Sequence, residues 1–172
     1  MFKKSLLAAA LTLAATFGAN ATTTSSTFTV NLTINPTCSV SSPNNVNFGS
    51  TNAATTTPTL QATASFTVAC SNTTPFTVGL QPNSTSTTAN AGTGVGNMTG
   101  PGAGGTTAIA YQLFSNSAYS TVWGNKPGTN TLGGTGSGMA NALTETVYAQ
   151  VTGSIDVAPG TYGDTVTINV NY

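Results

Sequence analysis

The stretch "TFTVNLTINPTC", residues 27–38, alternates apolar and polar side chains. Four apolar side chains share one side of an extended chain: Phe28, Val30, Leu32 and Ile34. Threonines and asparagines occupy the other side. Because successive side chains of a β-strand point to opposite faces of the sheet, this pattern predicts a strand with one buried face. The question it raises is which sheet the strand joins.

The residues upstream are typical of a secretory signal peptide. Lys3 and Lys4 precede an apolar run, residues 6–17, and the small-residue sequence "ANA", residues 19–21, follows. This order matches the basic, hydrophobic and cleavage regions of such a peptide. A membrane anchor is disfavoured because the run is too short to span ~30 Å of hydrocarbon. We therefore expect residues 1–21 to be removed on export.

The remaining chain has the length and composition of one β-rich domain. Residues 22–172 are long enough to bury a hydrophobic core. Their only charged side chains are Lys126, Glu145, Asp156 and Asp164, so the net charge is −2. A chain without a basic patch is not expected to bind nucleic acid or anionic lipid. Threonine, valine, asparagine, serine and glycine dominate, as in strands and turns.

Short alternating runs recur from Cys38 onward and supply about six candidate strands. Turn sequences separate them, and this arrangement predicts an antiparallel β-sandwich. The connection "SNTT", residues 71–74, allows either a hairpin or a crossing between two sheets. The inward residues of the clearest runs are Phe66, Val68 and Cys70; Phe76, Val78 and Leu80; Ile109, Tyr111 and Leu113; Val147, Ala149, Val151 and Ile155; and Val166, Ile168, Val170 and Tyr172.

Two glycine-rich stretches, residues 89–105 and 124–138, do not show this alternation of apolar and polar side chains. Their glycine content predicts long surface loops without strand or helix. A phosphate-binding loop is disfavoured, since "GTGVGNMTG" lacks the G-x-G-x-x-G spacing and the strand-to-helix context.

Cys38 and Cys70 are the only cysteines. An even number of cysteines behind a signal peptide favours a disulfide. A metal pair or a redox pair is the alternative, but the chain has no histidine and no C-x-x-C motif.

The sequence offers little for catalysis, a metal or a cofactor, and we expect none of them. Histidine, the usual general base, is absent. Lys126 lies in a Gly/Pro stretch that would leave it solvated. Asp156 and Asp164 flank "VAPGTYG" and are too few for a calcium loop, so we expect them to pin that turn by hydrogen bonds to the backbone. Trp123 is expected to pack in the core or at an edge rather than to form a carbohydrate platform.

The last alternating run, "DTVTINVNY", ends at Tyr172. An immunoglobulin-like sandwich has seven strands, so about six candidates predict an unpaired edge beside the final strand. The alternating segment of residues 28–34 is suited to that edge. Either it completes its own sandwich, or the segment of one molecule adds a strand to the next, as in donor-strand complementation.

Six stretches carry a resemblance to a known family: "CSV" (38–40), "NFG" (47–49), "FTVAC" (66–70), "AYQLF" (110–114), "VWG" (122–124) and "PGTYGDTVTINVNY" (159–172). Through them the chain, from Cys38 to its end, resembles the spore coat protein U-like family, which includes subunits of archaic chaperone–usher pili. The segment upstream resembles the donor strand of a pilus shaft subunit such as that of the Csu pilus.

This resemblance implies an all-β, incomplete immunoglobulin-like sandwich over residues 37–172, with a Cys38–Cys70 disulfide and without its final strand. A donor segment, residues 22–36, would complete the next copy in trans, and Val166, Ile168, Val170 and Tyr172 would form the accepting edge. The implied partners are further copies of the chain, a periplasmic pilus chaperone and an outer-membrane usher. The implied product is an extracellular pilus that serves adhesion and biofilm formation.

Two other functions are consistent with the same sequence. One is a secreted coat protein of a spore or cell surface. The other is a secreted module that binds carbohydrate or calcium.

Overall fold

A computed structural model describes residues 21–54, 59–84, 92–101 and 108–172 of the chain. Apart from Ala21, the predicted signal peptide lies outside the described residues. The chain divides into two units, Met1–Thr33 and Ile34–Tyr172. The described part of the first unit, residues 21–33, forms neither helix nor strand. The described residues contain no helix that could cross a membrane.

The second unit contains eight described strands, and five of them overlap the predicted alternating runs, although Ile155 lies after the end of β7 and Tyr172 after the end of β8. These five are β2, β3, β5, β7 and β8, whose inward side chains pack in or against the core. The strands are β1 (Cys38–Val40), β2 (Gln61–Cys70), β3 (Pro75–Pro82), β4 (Val95–Thr99), β5 (Ala108–Phe114), β6 (Leu132–Thr135), β7 (Leu143–Val151) and β8 (Val166–Asn171).

The strands form an immunoglobulin-like sandwich of two antiparallel sheets. The five-stranded sheet has the order β1-β2-β7-β5-β4, and the three-stranded sheet has the order β6-β3-β8. In the immunoglobulin arrangement, strands A-B-E-D form one sheet and C-F-G the other. Here β1-β2-β7-β5 corresponds to A-B-E-D, and β3-β8 corresponds to C-F. The position of strand G, beside β8, is not filled by any described strand.

The turn of residues 71–74 carries the chain from β2 in one sheet to β3 in the other. Of the two connections that the sequence allowed, the crossing between sheets is therefore confirmed. Cys70, just before this turn, lies directly opposite Cys38 of β1 and is joined to it by a disulfide. The predicted disulfide is confirmed, and it fastens the short strand β1 to the sheet.

The main core cluster lies between the two sheets. Trp123 is 1% exposed at its centre, where the indole Nε1–H donates to the Val78 carbonyl at 2.9 Å. Its ring contacts that of Phe66 at a centroid distance of 5.9 Å. Trp123 is thus a core residue, which is one of the two positions that the sequence allowed. The other buried members are Val68, Cys70, Phe76, Leu80, Tyr111, Leu113, Val147 and Ala149.

The prediction that both glycine-rich stretches are loops was wrong at two places. The first stretch contains β4 and the second contains β6. A Cβ atom at Gly96 would collide with the Tyr111 side chain, and one at Gly134 would overlap the Phe76 ring. The missing side chains let the backbones of these two strands approach aromatic rings on the neighbouring strands. Glycine here permits close packing rather than a loop.

Candidate functional site

The outer edge of β8 has free hydrogen-bonding groups. Within the described residues β8 pairs with β3 alone. The Asn83 N–H donates to the Thr165 carbonyl at 2.7 Å, and opposed residues of an antiparallel pair alternate between bonded and non-bonded. Since the backbone groups of Thr165 point toward β3, those of every second residue from Val166 onward point away from it. These residues are Val166, Ile168 and Val170. This leaves three N–H and three C=O groups on an open edge.

A groove of about 860 Å³ lies between the two sheets beside this edge. The irregular segments 43–53 and 157–165 contribute to its lining. Its apolar walls come from both sheets and include Ala64, Phe66, Leu113, Val147, Ala149, Leu80, Val166 and Ile168. The groove is therefore lined by core side chains of the sandwich and lies next to the unpaired strand.

The predicted accepting residues occupy different positions relative to this groove. Val166, Ile168 and Val170 are half-buried and pack against the main core. Val166 and Ile168 line the groove. Tyr172 was expected on the same strand face, but β8 ends at Asn171 and Tyr172 is 59% exposed. The strand therefore provides three inward residues.

The N-terminal alternating segment is exposed. Residues 21–37 form no strand, so this structure does not show the segment as the first strand of its own sandwich. The four apolar side chains are 80–88% exposed: Phe28, Val30, Leu32 and Ile34. A contiguous set of exposed large apolar side chains marks a surface that a partner covers.

The corner that precedes β8, residues 158–164, is held by hydrogen bonds. The Tyr162 hydroxyl donates to the Ala158 carbonyl four residues upstream at 2.8 Å. A tyrosine that bonds back in this way near the start of strand F is the tyrosine corner of immunoglobulin-like domains. It supports the assignment of β8 as strand F. Gly163 then pairs with Thr99 at the end of β4 through two backbone bonds of 2.9 and 3.0 Å.

Asp164 joins this corner to the opposite sheet. Its Oδ1 accepts, at 2.8 Å, the N–H of Thr165, which lies just after the turn of residues 157–163 that Asp164 was expected to pin. Its Oδ2 accepts the Tyr111 hydroxyl at 2.8 Å. Tyr111 is 4% exposed. Burial, and then the hydrogen bond and negative charge of Asp164, raise the pKa of Tyr111 well above its ordinary value, so this hydroxyl stays protonated and donates.

The other candidate ligand-binding residues do not form a site. Trp123 is too deeply buried to act as a carbohydrate platform. Asp156 is exposed, and only its backbone N–H takes part in the turn, donating to Ser154 Oγ. Among the described residues no group of three histidine, cysteine, aspartate or glutamate side chains is placed to hold a metal.

The geometry is better suited to an extended peptide than to a small molecule. The groove volume alone would suit a small ligand. A small ligand would, however, leave the row of backbone groups along β8 unpaired. An added strand pairs with such an edge and inserts alternate side chains into the space beside it.

Sequence reasoning did not assign segment 43–53 or Tyr111 to the site. Val46 and Phe48, in that segment, pack against the main core and line the groove. The signal for Tyr111 was present: a tyrosine on the inward face of an otherwise apolar strand usually has a hydrogen-bond partner. Its partner lies on another strand and could not be identified from spacing.

Comparisons with known proteins agree with this fold. A family model described as "Spore Coat Protein U domain" matches residues 24–169. Comparison with curated proteins gives no match.

Two solved structures are similar. A chain of the CsuC–CsuE chaperone–tip adhesion subunit pre-assembly complex from archaic chaperone–usher Csu pili of Acinetobacter baumannii aligns with a TM-score of 0.52 and 23% identity. The alignment covers 81% of this chain and 40% of that one. The E. coli Hda pilus minor tip subunit HdaB aligns with a TM-score of 0.41 and 14% identity, over 78% of this chain and 82% of that one.

Proposed function

Because the chain belongs to the Spore Coat Protein U domain family, we propose that it is a structural subunit of an archaic chaperone–usher pilus. In this proposal the groove beside β8 accepts the N-terminal segment, residues 22–36, of another copy. The observation that carries it is the combination, in one chain, of an unpaired strand edge beside an apolar groove and an exposed alternating segment.

The chemistry of the two surfaces is complementary. The edge of β8 offers backbone N–H and C=O groups, and an extended segment offers the same groups in return. Every second residue of the donor, from Phe28 to Ile34, would insert an apolar side chain into the groove. Burial of four such side chains contributes about 6–12 kcal/mol before the costs of ordering are subtracted.

Strand donation between copies leads to a filament. The donor and the acceptor are different surfaces of one molecule, so the contact is head-to-tail and need not close into a ring. Each added copy presents a new donor or a new groove.

Assembly of such a subunit requires protection of the groove. An unpaired strand edge beside an apolar groove promotes aggregation. A periplasmic chaperone would cover the groove first, and an outer-membrane usher would exchange it for the next donor segment. The resulting extracellular pilus would serve surface adhesion and biofilm formation.

Leu32→Glu is the first test of the donor segment. It places a charge in the middle of the apolar row, and burial of an unpaired charge is strongly unfavourable. We expect cells that secrete the mature chain to yield filaments, seen as a ladder of multimers on SDS gels that collapses to monomer only on heating. The Leu32→Glu chain should give monomer in both lanes.

Thr33→Glu is the matched control, because it places the same charge on the opposite side of the segment. Its ladder should match that of the unsubstituted chain. Filaments of normal yield from the Leu32→Glu chain would refute the donor assignment. Folded protein that runs as monomer in both lanes without any substitution would favour the coat-protein function, which the family description also names.

A further inference from the structure

The hydrogen bond between Tyr111 and Asp164 connects the two walls of the groove. Tyr111 lies on β5 in the five-stranded sheet, and Asp164 lies two residues before β8 in the three-stranded sheet. Both residues line the groove. The bond is 2.8 Å long and its donor is almost fully buried. It therefore holds the start of the accepting strand at a set distance from the opposite wall.

The surrounding residues hold this bond in place. The space that a Cβ at Gly96 would take is filled by the Tyr111 ring and hydroxyl, so the ring is held close against β4. Asp164 is oriented through its second oxygen, which accepts the Thr165 N–H. Thr165 in turn accepts from Asn83, where pairing with β3 begins. The donor and the acceptor of the bond are thus each oriented by neighbouring residues, and the bond itself joins them.

We propose that Tyr111 and Asp164 are positioning residues for strand acceptance: their hydrogen bond preorganises the edge of β8 for the incoming segment. The inference rests on the proposed function of the groove. When a donor strand binds, its backbone has to hydrogen-bond to Val166 while its side chains insert between β8 and the opposite sheet. An edge that is already at the right distance binds it with a smaller ordering cost.

The test measures how long the groove retains a fluorescent synthetic peptide of residues 22–36. The acceptor is the full mature chain carrying Leu32→Glu, so that its own segment does not compete. Tyr111→Phe keeps the ring against Gly96 and removes only the hydroxyl. We expect it to raise the peptide dissociation rate about tenfold, as for one lost hydrogen bond to a charged group. Asp164→Ala should have the same effect, and Asp164→Asn, which keeps one acceptor oxygen, a smaller one.

Thr146→Val is the matched control. It also removes one side-chain hydrogen bond, the 3.2 Å bond between the Ser65 and Thr146 hydroxyl groups, but that bond lies within the five-stranded sheet and neither residue lines the groove. We expect it to leave peptide retention unchanged. Equal retention by the Tyr111→Phe and Thr146→Val chains would overturn the positioning role alone. Failure of the unmodified groove to retain any peptide would overturn the proposed function and this inference together.

A second measurement does not depend on the monomeric acceptor. In polymers of the full mature chain, hydrogen exchange should be faster at the Val166 and Ile168 amides with Tyr111→Phe than with Thr146→Val. Identical exchange at these two amides would overturn the inference.

Discussion

Glu145 is a partly buried carboxylate on β7. It lies directly opposite Phe66 in the β2–β7 pair, and opposed residues of a pair share a face of the sheet. Partial burial raises the pKa of its carboxyl above the ordinary value. Because the acid is harder to ionise in the folded chain, its protonated form adds to the free energy of unfolding. This contribution is fully present below the unfolded pKa of about 4.3. That contribution is lost as pH rises through the folded pKa.

Glu145→Gln should therefore stabilise the domain at neutral pH. We expect a higher melting temperature than that of the unsubstituted chain at pH ~7, and a difference that vanishes toward pH ~4, where both states bind the proton. Thermal melts across this range measure it. Asp156→Asn, which removes a carboxylate from an exposed position, controls for the change in net charge. A melting difference that does not vary with pH would contradict the expectation.

Strand β4 shows how a glycine-rich segment becomes part of a sheet. Gly96 lies opposite Tyr111 in the β4–β5 pair. Gly96→Ala would force the added methyl group against the Tyr111 ring, and overpacking of this kind costs about 1–3 kcal/mol. We expect a lower urea midpoint for this variant.

Gly133→Ala in β6 is the comparison for that substitution. A Cβ there has no atom within 4 Å, so the midpoint should stay the same or rise slightly as the unfolded chain loses entropy. If Gly96→Ala shifted the midpoint no more than Gly133→Ala, close packing on Tyr111 would not be the reason for the glycine.

The whole molecule is almost free of charge. After residue 21 the chain has one lysine and three acidic side chains, and none of them lies in residues 22–36. In the proposed assembly, this segment would therefore bind through apolar burial and backbone hydrogen bonds. We expect the temperature at which polymers dissociate to be insensitive to salt up to ~0.15 M, where only exposed ionic contacts are screened. Densitometry of heated gel samples measures it, and a marked fall with added salt would indicate ionic contacts between subunits.

The amino-acid sequence was sufficient for the features that depend on local pattern. Alternation with a period of two predicted five of the strands and the faces that they bury, as in Phe66, Val68 and Cys70. The paired cysteines predicted the disulfide. The apolar face of residues 28–34 was apparent from the same period, because side-chain direction in an extended chain depends only on position.

Tertiary structure alone decided the features that depend on partners distant in sequence. β4 and β6 are strands because aromatic rings on β5 and β3 fill the space beside Gly96 and Gly134. The groove exists because segment 43–53 and β8 lie at its sides, and Tyr111 meets Asp164 across a separation of 53 residues. Such long-range contacts produce no periodic pattern in the amino-acid sequence. They arise only when the two sheets pack, since packing determines which strand edge remains unpaired and which buried hydroxyl finds an acceptor.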